Sequence, residues 1–191
     1  MFMSLKTDYQ AYIIEGIDRL GKDTLIANIQ KALGHHFVLH YSKPQKLPAY
    51  GNDLEKYQRE SFHHGFALLD SLQYHAGPNN TQMPLIFNRF HLGEAVYADL
   101  YRGYNGKYVF DLEDRWRADR MTRTKLILLT TSDFSFIQDD GESFDFSKKE
   151  QEQEIFKDAF EKSSFPNKSI IDVSANGTYR NPFDILLEAV A

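Results

Sequence analysis

The 191-residue chain has no cysteine and only one tryptophan. Without cysteine there is no disulfide, no thiolate metal site and no thiol nucleophile. No apolar run approaches the roughly 20 residues a bilayer-spanning helix needs. The first ten residues lack the apolar core of a secretory signal, so the expected location is cytoplasmic, with no membrane partner. Positive charge is also scarce: 22 basic residues face 27 acidic ones, a formal net charge of −5. That balance disfavours a broad nucleic-acid-binding surface, and no stable nucleic-acid partner is expected. Hydrophobic residues make up 42% of the chain and charged residues 26%. This composition and length suit one well-buried globular domain covering residues 1–191.

What the chain does have is concentrated near its start. An apolar, β-prone run, Tyr12-Ile13-Ile14-Glu15, leads into Gly16. Ile17, Asp18, Arg19 and Leu20 follow, then Gly21-Lys22-Asp23-Thr24 and a helical pattern. This is the spacing of a phosphate loop. Its glycines let successive N–H groups turn inward around a polyphosphate, its lysine reaches the outer phosphates, and the helix that follows adds its positive end. In one respect the loop departs from the usual pattern. The residue after the lysine is Asp23 rather than Ser or Thr, and the hydroxyl comes one position late, at Thr24.

Along the chain, apolar spacing predicts strands over 11–15, 36–41, 83–87, 125–130 and 169–173. It predicts helices over 22–33, 53–72, 92–101, 112–121, 148–163 and 181–190, the last begun by Pro182. Residues 75–80 read as a loop by composition. Residues 132–146 are polar and acidic, lack Arg and Lys, and show no sustained apolar period, as expected of a lid. Strands alternating with helices argue an α/β fold: a parallel five-stranded sheet between two helical layers, the three-layer P-loop NTPase architecture. Ligands bind such sheets beyond the carboxyl ends of the strands. The Gly16 loop, Ser42-Lys43, Asn88-Arg89 and the 132–146 stretch all fall there.

The order of these parts resembles the thymidylate kinase family over nearly the whole chain. Glu15 to Lys22 is similar to that family's phosphate loop, and Phe87-Asn88-Arg89-Phe90 to its Asp-Arg-Tyr/His strand end. Ile170-Ile171-Asp172-Val173-Ser174 resembles its terminal strand. The segments His91 to Glu94 and Leu100 to Tyr104 are most similar to bacteriophage-encoded members. The resemblance implies ATP and Mg²⁺ as cofactors, a deoxynucleoside monophosphate (dTMP foremost) as small-molecule substrate, and a homodimer.

The resemblance also assigns roles. Gly16, Ile17, Leu20, Gly21, Lys22, Asp23 and Thr24 would cradle the donor phosphates. Arg19 would supply the cation over the migrating phosphoryl, since the lid has none. Asp18 would organise the acceptor's sugar and phosphate; the plainer reading is an Asx-turn shaping the loop. Arg89 would hold the acceptor phosphate, which suits its planar fork, with Lys43 as a weaker second. Phe62, backed by Tyr57 and Phe66, is the first choice for a base platform, with Gln58 and Arg59 on base edges; core packing explains the same aromatic spacing. Tyr97 stands where the family excludes a ribose 2′-hydroxyl. Where the family has Asp at the strand end and Ser or Thr after the lysine, this chain has Asn88 and Asp23, so the magnesium carboxylate is expected to have moved from one to the other, with Asp23 and the Asn88 amide oxygen serving the metal; the plainer reading is that Asp23 caps the first helical turn.

Adjacent histidines point apart on a regular element, so His35-His36 and His63-His64 read as structural. Lys148-Lys149-Glu150 reads as a solvated helix start. Three other functions stay open: a deoxynucleoside kinase using Glu15 as base, a nucleotide-binding regulator without catalysis, and a kinase acting on a modified base in DNA.

Overall fold

The computed structural model describes residues 7–34, 36–41, 53–74, 85–138 and 145–191. Five parallel strands form the central sheet: β1 (Ala11–Glu15), β2 (Phe37–His40), β3 (Leu85–Asn88), β4 (Thr124–Thr130) and β5 (Asn167–Asp172). Their order is β2-β3-β1-β4-β5, with Ile13 beside Phe87 on one side and Leu126 on the other. The three inner strands are buried at every position, while β2 and β5 at the edges are only partly covered. A parallel strand covered on both faces needs a continuous apolar run, which Ala11–Ile14 and Leu126–Leu129 provide.

Helices α1 (Lys22–Leu33), α2 (Leu54–Tyr74), α3 (Leu92–Tyr97), α4 (Tyr108–Arg115), α5 (Lys149–Lys162) and α6 (Pro182–Val190) cover the sheet. Helix α1 buries Leu25, Ile26 and Ile29 and ends at Gly34, whose N–H returns to Gln30 O. Helix α6 starts where its sequence asks it to: Asn181 accepts from Phe183 N, and Pro182 takes the first turn, where its missing N–H costs nothing. An aromatic core of Phe66, Phe87, Phe90 and Phe165 ties α2 to the sheet. Each such burial contributes about 1.5–3 kcal/mol.

Three segments differ from the sequence expectation. The helix expected over 92–101 becomes a wider π-helical turn at Ala98–Arg102, and its last residue pairs with Glu94. Such turns recur at functional sites. The helix expected over 112–121 starts earlier, at Tyr108, and stops at Arg115, because Arg117 sits in the left-handed region (φ 56°) before a 3₁₀ turn at Ala118–Arg120. A two-residue hairpin, β6 (Ser174–Ala175) and β7 (Thr178–Tyr179), follows β5 and was not expected. The loop expected at 75–80 lies outside the described residues.

Among the described residues no helix is long and apolar enough to cross a membrane.

Candidate functional site

The loop after β1 turns sharply at Gly16. Its φ is +129°, and a Cβ there would lie 2.5 Å from the backbone oxygen of Leu129, so no other residue fits. The next turn carries Arg19 in the left-handed region (φ 71°), and Gly21 leads into α1. Lys22 folds back over this loop. Its Nζ donates to Gly16 O at 2.9 Å and Ile17 O at 2.6 Å, and the side chain is 6% exposed. Burial pushes its pKa down to about 8 and the Arg89 charge adds to this, against the opposing pull of Asp18, Glu15 and Asp23.

Beyond β3, Arg89 also has a positive φ, 63°. Four non-glycine residues share that strained region among the described residues, and two are Arg19 and Arg89. The guanidinium of Arg89 donates to Asp18 Oδ1. Burial opposes ionisation of Asp18, but Lys22, Arg89 and Lys149 outweigh it and hold the carboxyl below its ordinary range. Lys149 Nζ stands 3.8 Å from Asp18 Oδ2 and 2.9 Å from Glu152 Oε2. It is 4% exposed, so the solvated helix start expected at 148–150 is wrong for this residue. The first turn of α5 faces the site instead of solvent, and no periodicity in the sequence carries that information.

Asn88 and Asp23, 65 positions apart, do meet: Asn88 Nδ2 lies 2.7 Å from Asp23 Oδ1 and 3.0 Å from His40 Nδ1. Asn88 Oδ1 is buried with no hydrogen-bond partner. In this arrangement the Asn88 amide nitrogen orients the carboxylate, and its Oδ1 is left with Asp23 as a group able to face a cation. Among the described residues no cluster of three or more His, Asp or Glu has metal-binding geometry. Mg²⁺ does not require one, since it keeps several waters and takes one or two carboxylates.

Asp18, Arg19, Lys22, Asp23, Asn88 and Arg89 line one cavity of about 1390 Å³ at the carboxyl ends of β1 to β4, and Lys149 stands outside its lining. That exceeds the roughly 300–1,000 Å³ usual for a single small ligand. Asp18 to Thr24 form its middle. Toward the β2 edge stand Tyr41, Phe62 and Phe90, and Tyr97 lines the wall nearer α5. Phe62 is 2% exposed and stacks on Tyr41 at 5.6 Å, so the accessible aromatic surface here belongs more to Tyr41 than to the expected platform. Phe66 is fully buried core. Gln58 lines the cavity, while Arg59 pairs with Glu55 and covers the Tyr108 ring. Tyr97 lies between Tyr101 and Phe156, and burial, then the Asp18 charge, push its pKa well up. Lys43 lies outside the described residues, as do positions 139–144 of the lid.

Sequence reasoning missed two parts of the wall. Glu94, 2% exposed, accepts from Tyr104 (2.7 Å), Tyr108 (3.0 Å) and Arg102. Burial raises its pKa against those three donors. Toward the β5 edge, Tyr179, Arg180, Pro182 and Ile185 close the cavity. Tyr179 donates to Arg19 O and meets Phe136 edge-on at 4.5 Å, bracing the loop from the far side. A two-residue hairpin has no periodicity to read; only the turn residues Asn176-Gly177 mark it.

Glu15 does not line the cavity, although its Oε2 is buried without a hydrogen-bond partner and burial raises its pKa. It is fully buried, and its Oε1 accepts from Phe90 N (3.0 Å) and Leu92 N (2.9 Å), which ties the end of β1 to the start of α3. The histidines are held structurally. His36 bonds Gly34 O, His63 receives the Trp116 indole, and His35 lies outside the described residues.

No protein-family model matches the chain. No curated protein matches it either. Solved structures do. The YorR protein of Bacillus subtilis, crystallised with phosphorylated GDP, aligns with a TM-score of 0.53 at 19% identity over 85% of each chain. Thymidylate kinase from Ehrlichia chaffeensis aligns at 0.50 and 12% identity, covering 93% of this chain and 94% of its own. Thymidylate kinase from Candida albicans aligns at 0.51 and 16% identity, covering 96% and 90%. At these identities the likeness is one of fold: a five-stranded parallel α/β sheet arranged as in the P-loop kinases.

Proposed function

We propose that this protein is a P-loop kinase that moves the γ-phosphoryl group of ATP to a deoxynucleoside monophosphate, with dTMP as preferred acceptor. One observation carries the reading: a single cavity holds both the phosphate-loop Lys22 and the Asp18–Arg89 pair. A phosphate loop by itself binds a polyphosphate. A second cation across the same cavity gives a second phosphate a place to meet it.

In the reaction an oxygen of the acceptor phosphate attacks Pγ. The bond from Pγ to the β–γ bridging oxygen breaks, and ADP leaves with its electron pair. The acceptor phosphate is already anionic near neutral pH, so no protein base is needed. Lys22 neutralises the donor phosphates, Arg19 the migrating group, and Arg89 the acceptor phosphate. Asp18 places the acceptor sugar, Tyr97 fills the space of a 2′-hydroxyl, and Lys43 assists Arg89. Asp23 and the Asn88 amide oxygen would hold Mg²⁺ directly or through water, and the ion would screen the donor phosphates when bound. A nucleoside acceptor is disfavoured because Glu15, the carboxylate such chemistry would draw on, does not line the cavity. The homodimer implied by the family resemblance belongs to the same proposal, as does the absence of stable nucleic-acid binding.

The test is ATP consumption by the purified chain against nucleosides, deoxy- and ribonucleoside monophosphates, and DNA. Turnover is expected with dTMP above the other deoxynucleotides, and with each of these above its ribonucleotide. Turnover confined to nucleosides or DNA, or none at all, refutes the proposal.

A further inference from the structure

Asp18 uses its two oxygens differently. Oδ1 accepts from Arg89, and Oδ2 faces Lys149 Nζ at 3.8 Å, an ion-pair distance beyond hydrogen-bond reach. The two cations also differ in freedom. The Arg89 side chain is 38% exposed and lines the cavity, whereas that of Lys149 is 5% exposed. Lys149 is anchored by Glu152, itself fully buried, whose other oxygen accepts from Tyr101 at 2.6 Å. Tyr101, Glu152, Lys149, Asp18 and Arg89 therefore form a continuous line from the π-turn after α3, through α5, to the phosphate loop.

The location of Lys149 is costly. It is the first residue of α5, where the helix presents its positive end, and a cation there is unfavourable. Burying the ammonium adds a further cost. A residue that breaks two local rules at once, beside a strained loop, marks a functional constraint.

We infer that Lys149 is a positioning residue that keeps Asp18 ionised and in place when Arg89 turns from it to the acceptor phosphate. The inference rests on the reading of the cavity as a mononucleotide site. A guanidinium that forks onto a phosphate gives up donors it had spent on a carboxylate. Asp18 then stands beside an incoming dianion while Lys22, the cation that acts on it most, serves the donor phosphates, so a further cation is needed to keep it ionised and in place. Lys149 is fixed at the distance needed to take over, and its link to Glu152 keeps it from following Arg89 into the cavity. Against the effect of burial, Lys22 first, then Arg89 and Lys149, hold Asp18 below its ordinary pKa range.

The experiment compares wild type with Lys149→Met, Lys149→Arg, and a Lys149→Met/Glu152→Gln double variant that leaves no unpaired buried carboxylate. Steady-state kinetics with ATP and dTMP are followed across pH, alongside thermal unfolding. Lys149→Met and the double variant should raise the KM for dTMP roughly thirtyfold or more, the scale for removing one partner of a buried charge pair. The KM for ATP should stay near wild type. The acid limb of kcat/KM for dTMP should move to higher pH, and Lys149→Arg should restore both quantities. A folded Lys149→Met or double variant with wild-type dTMP KM and an unmoved acid limb overturns the inference alone. Absence of turnover by wild type with any mononucleotide overturns the cavity reading, and the inference with it.

Discussion

Nucleotide binding should draw a proton onto Lys22. Its Nζ is enclosed by the loop it will serve, 2.9 Å from Gly16 O and 2.6 Å from Ile17 O, and burial lowers its pKa from 10.5 to about 8. That displacement corresponds to about 3 kcal/mol of disfavoured charge. A polyphosphate in the loop places several negative charges beside Nζ and removes the penalty. With a free-state pKa near 8, the ammonium is about one-quarter protonated at pH 8.5 and about three-quarters at pH 7.5. Binding should therefore take up about 0.7 proton at the higher pH and about 0.25 at the lower. Calorimetric titration with ATP in EDTA, repeated in buffers of different ionisation enthalpy, measures both numbers, and Lys22→Met should abolish the uptake. Equal uptake at the two pH values, or none at pH 8.5, would refute the reasoning. The same shift has a stability consequence. Between about pH 8 and 10.5 the unfolded chain binds more protons at this site than the folded one. Stability from Lys22 therefore rises with pH through that window: the cost of the buried charge is fully present below pH 8 and gone above 10.5.

Arg19→Ala should lower kcat by roughly 10²–10³-fold, the scale for losing one preorganised charge donor, while ATP binding survives; near-normal kcat in the folded variant would rule out its role. Asp23→Ser should be severely impaired at low Mg²⁺, and Asp23→Ser/Asn88→Asp should recover much of that loss. Simple addition of the two single effects would leave Asp23 as a helix-cap residue without a metal role.

The boundary between what could be read in the sequence and what could not follows the range of the interactions. The phosphate loop was legible because its chemistry is local: Gly16, Gly21 and Lys22 act through backbone conformation and a five- or six-residue reach. The inner strands were legible because a parallel strand covered on both faces needs a near-continuous apolar run, and β1 and α1 begin and end where their sequence indicates. The meeting of Asp23 with Asn88 came from resemblance, not from spacing, since strand order alone decides which carboxyl ends are neighbours.

Where a side chain's environment is set by another element, the sequence was silent or misleading. Arg102 turns toward Glu94 because the helix after Tyr97 widens into a π turn, which no residue in Ala98–Arg102 announces. Phe62 has the spacing of a platform or of a core residue, and only the stacking of Tyr41 on it separates the two. Lys149 has the composition of a solvated helix start. Glu152 on its own helix and Asp18 in the phosphate loop make it a buried cation beside the site. Periodicity along one chain fixes which face of a helix is apolar, but only the packing of α5 beside α3 and the phosphate loop fixes what its polar first turn meets.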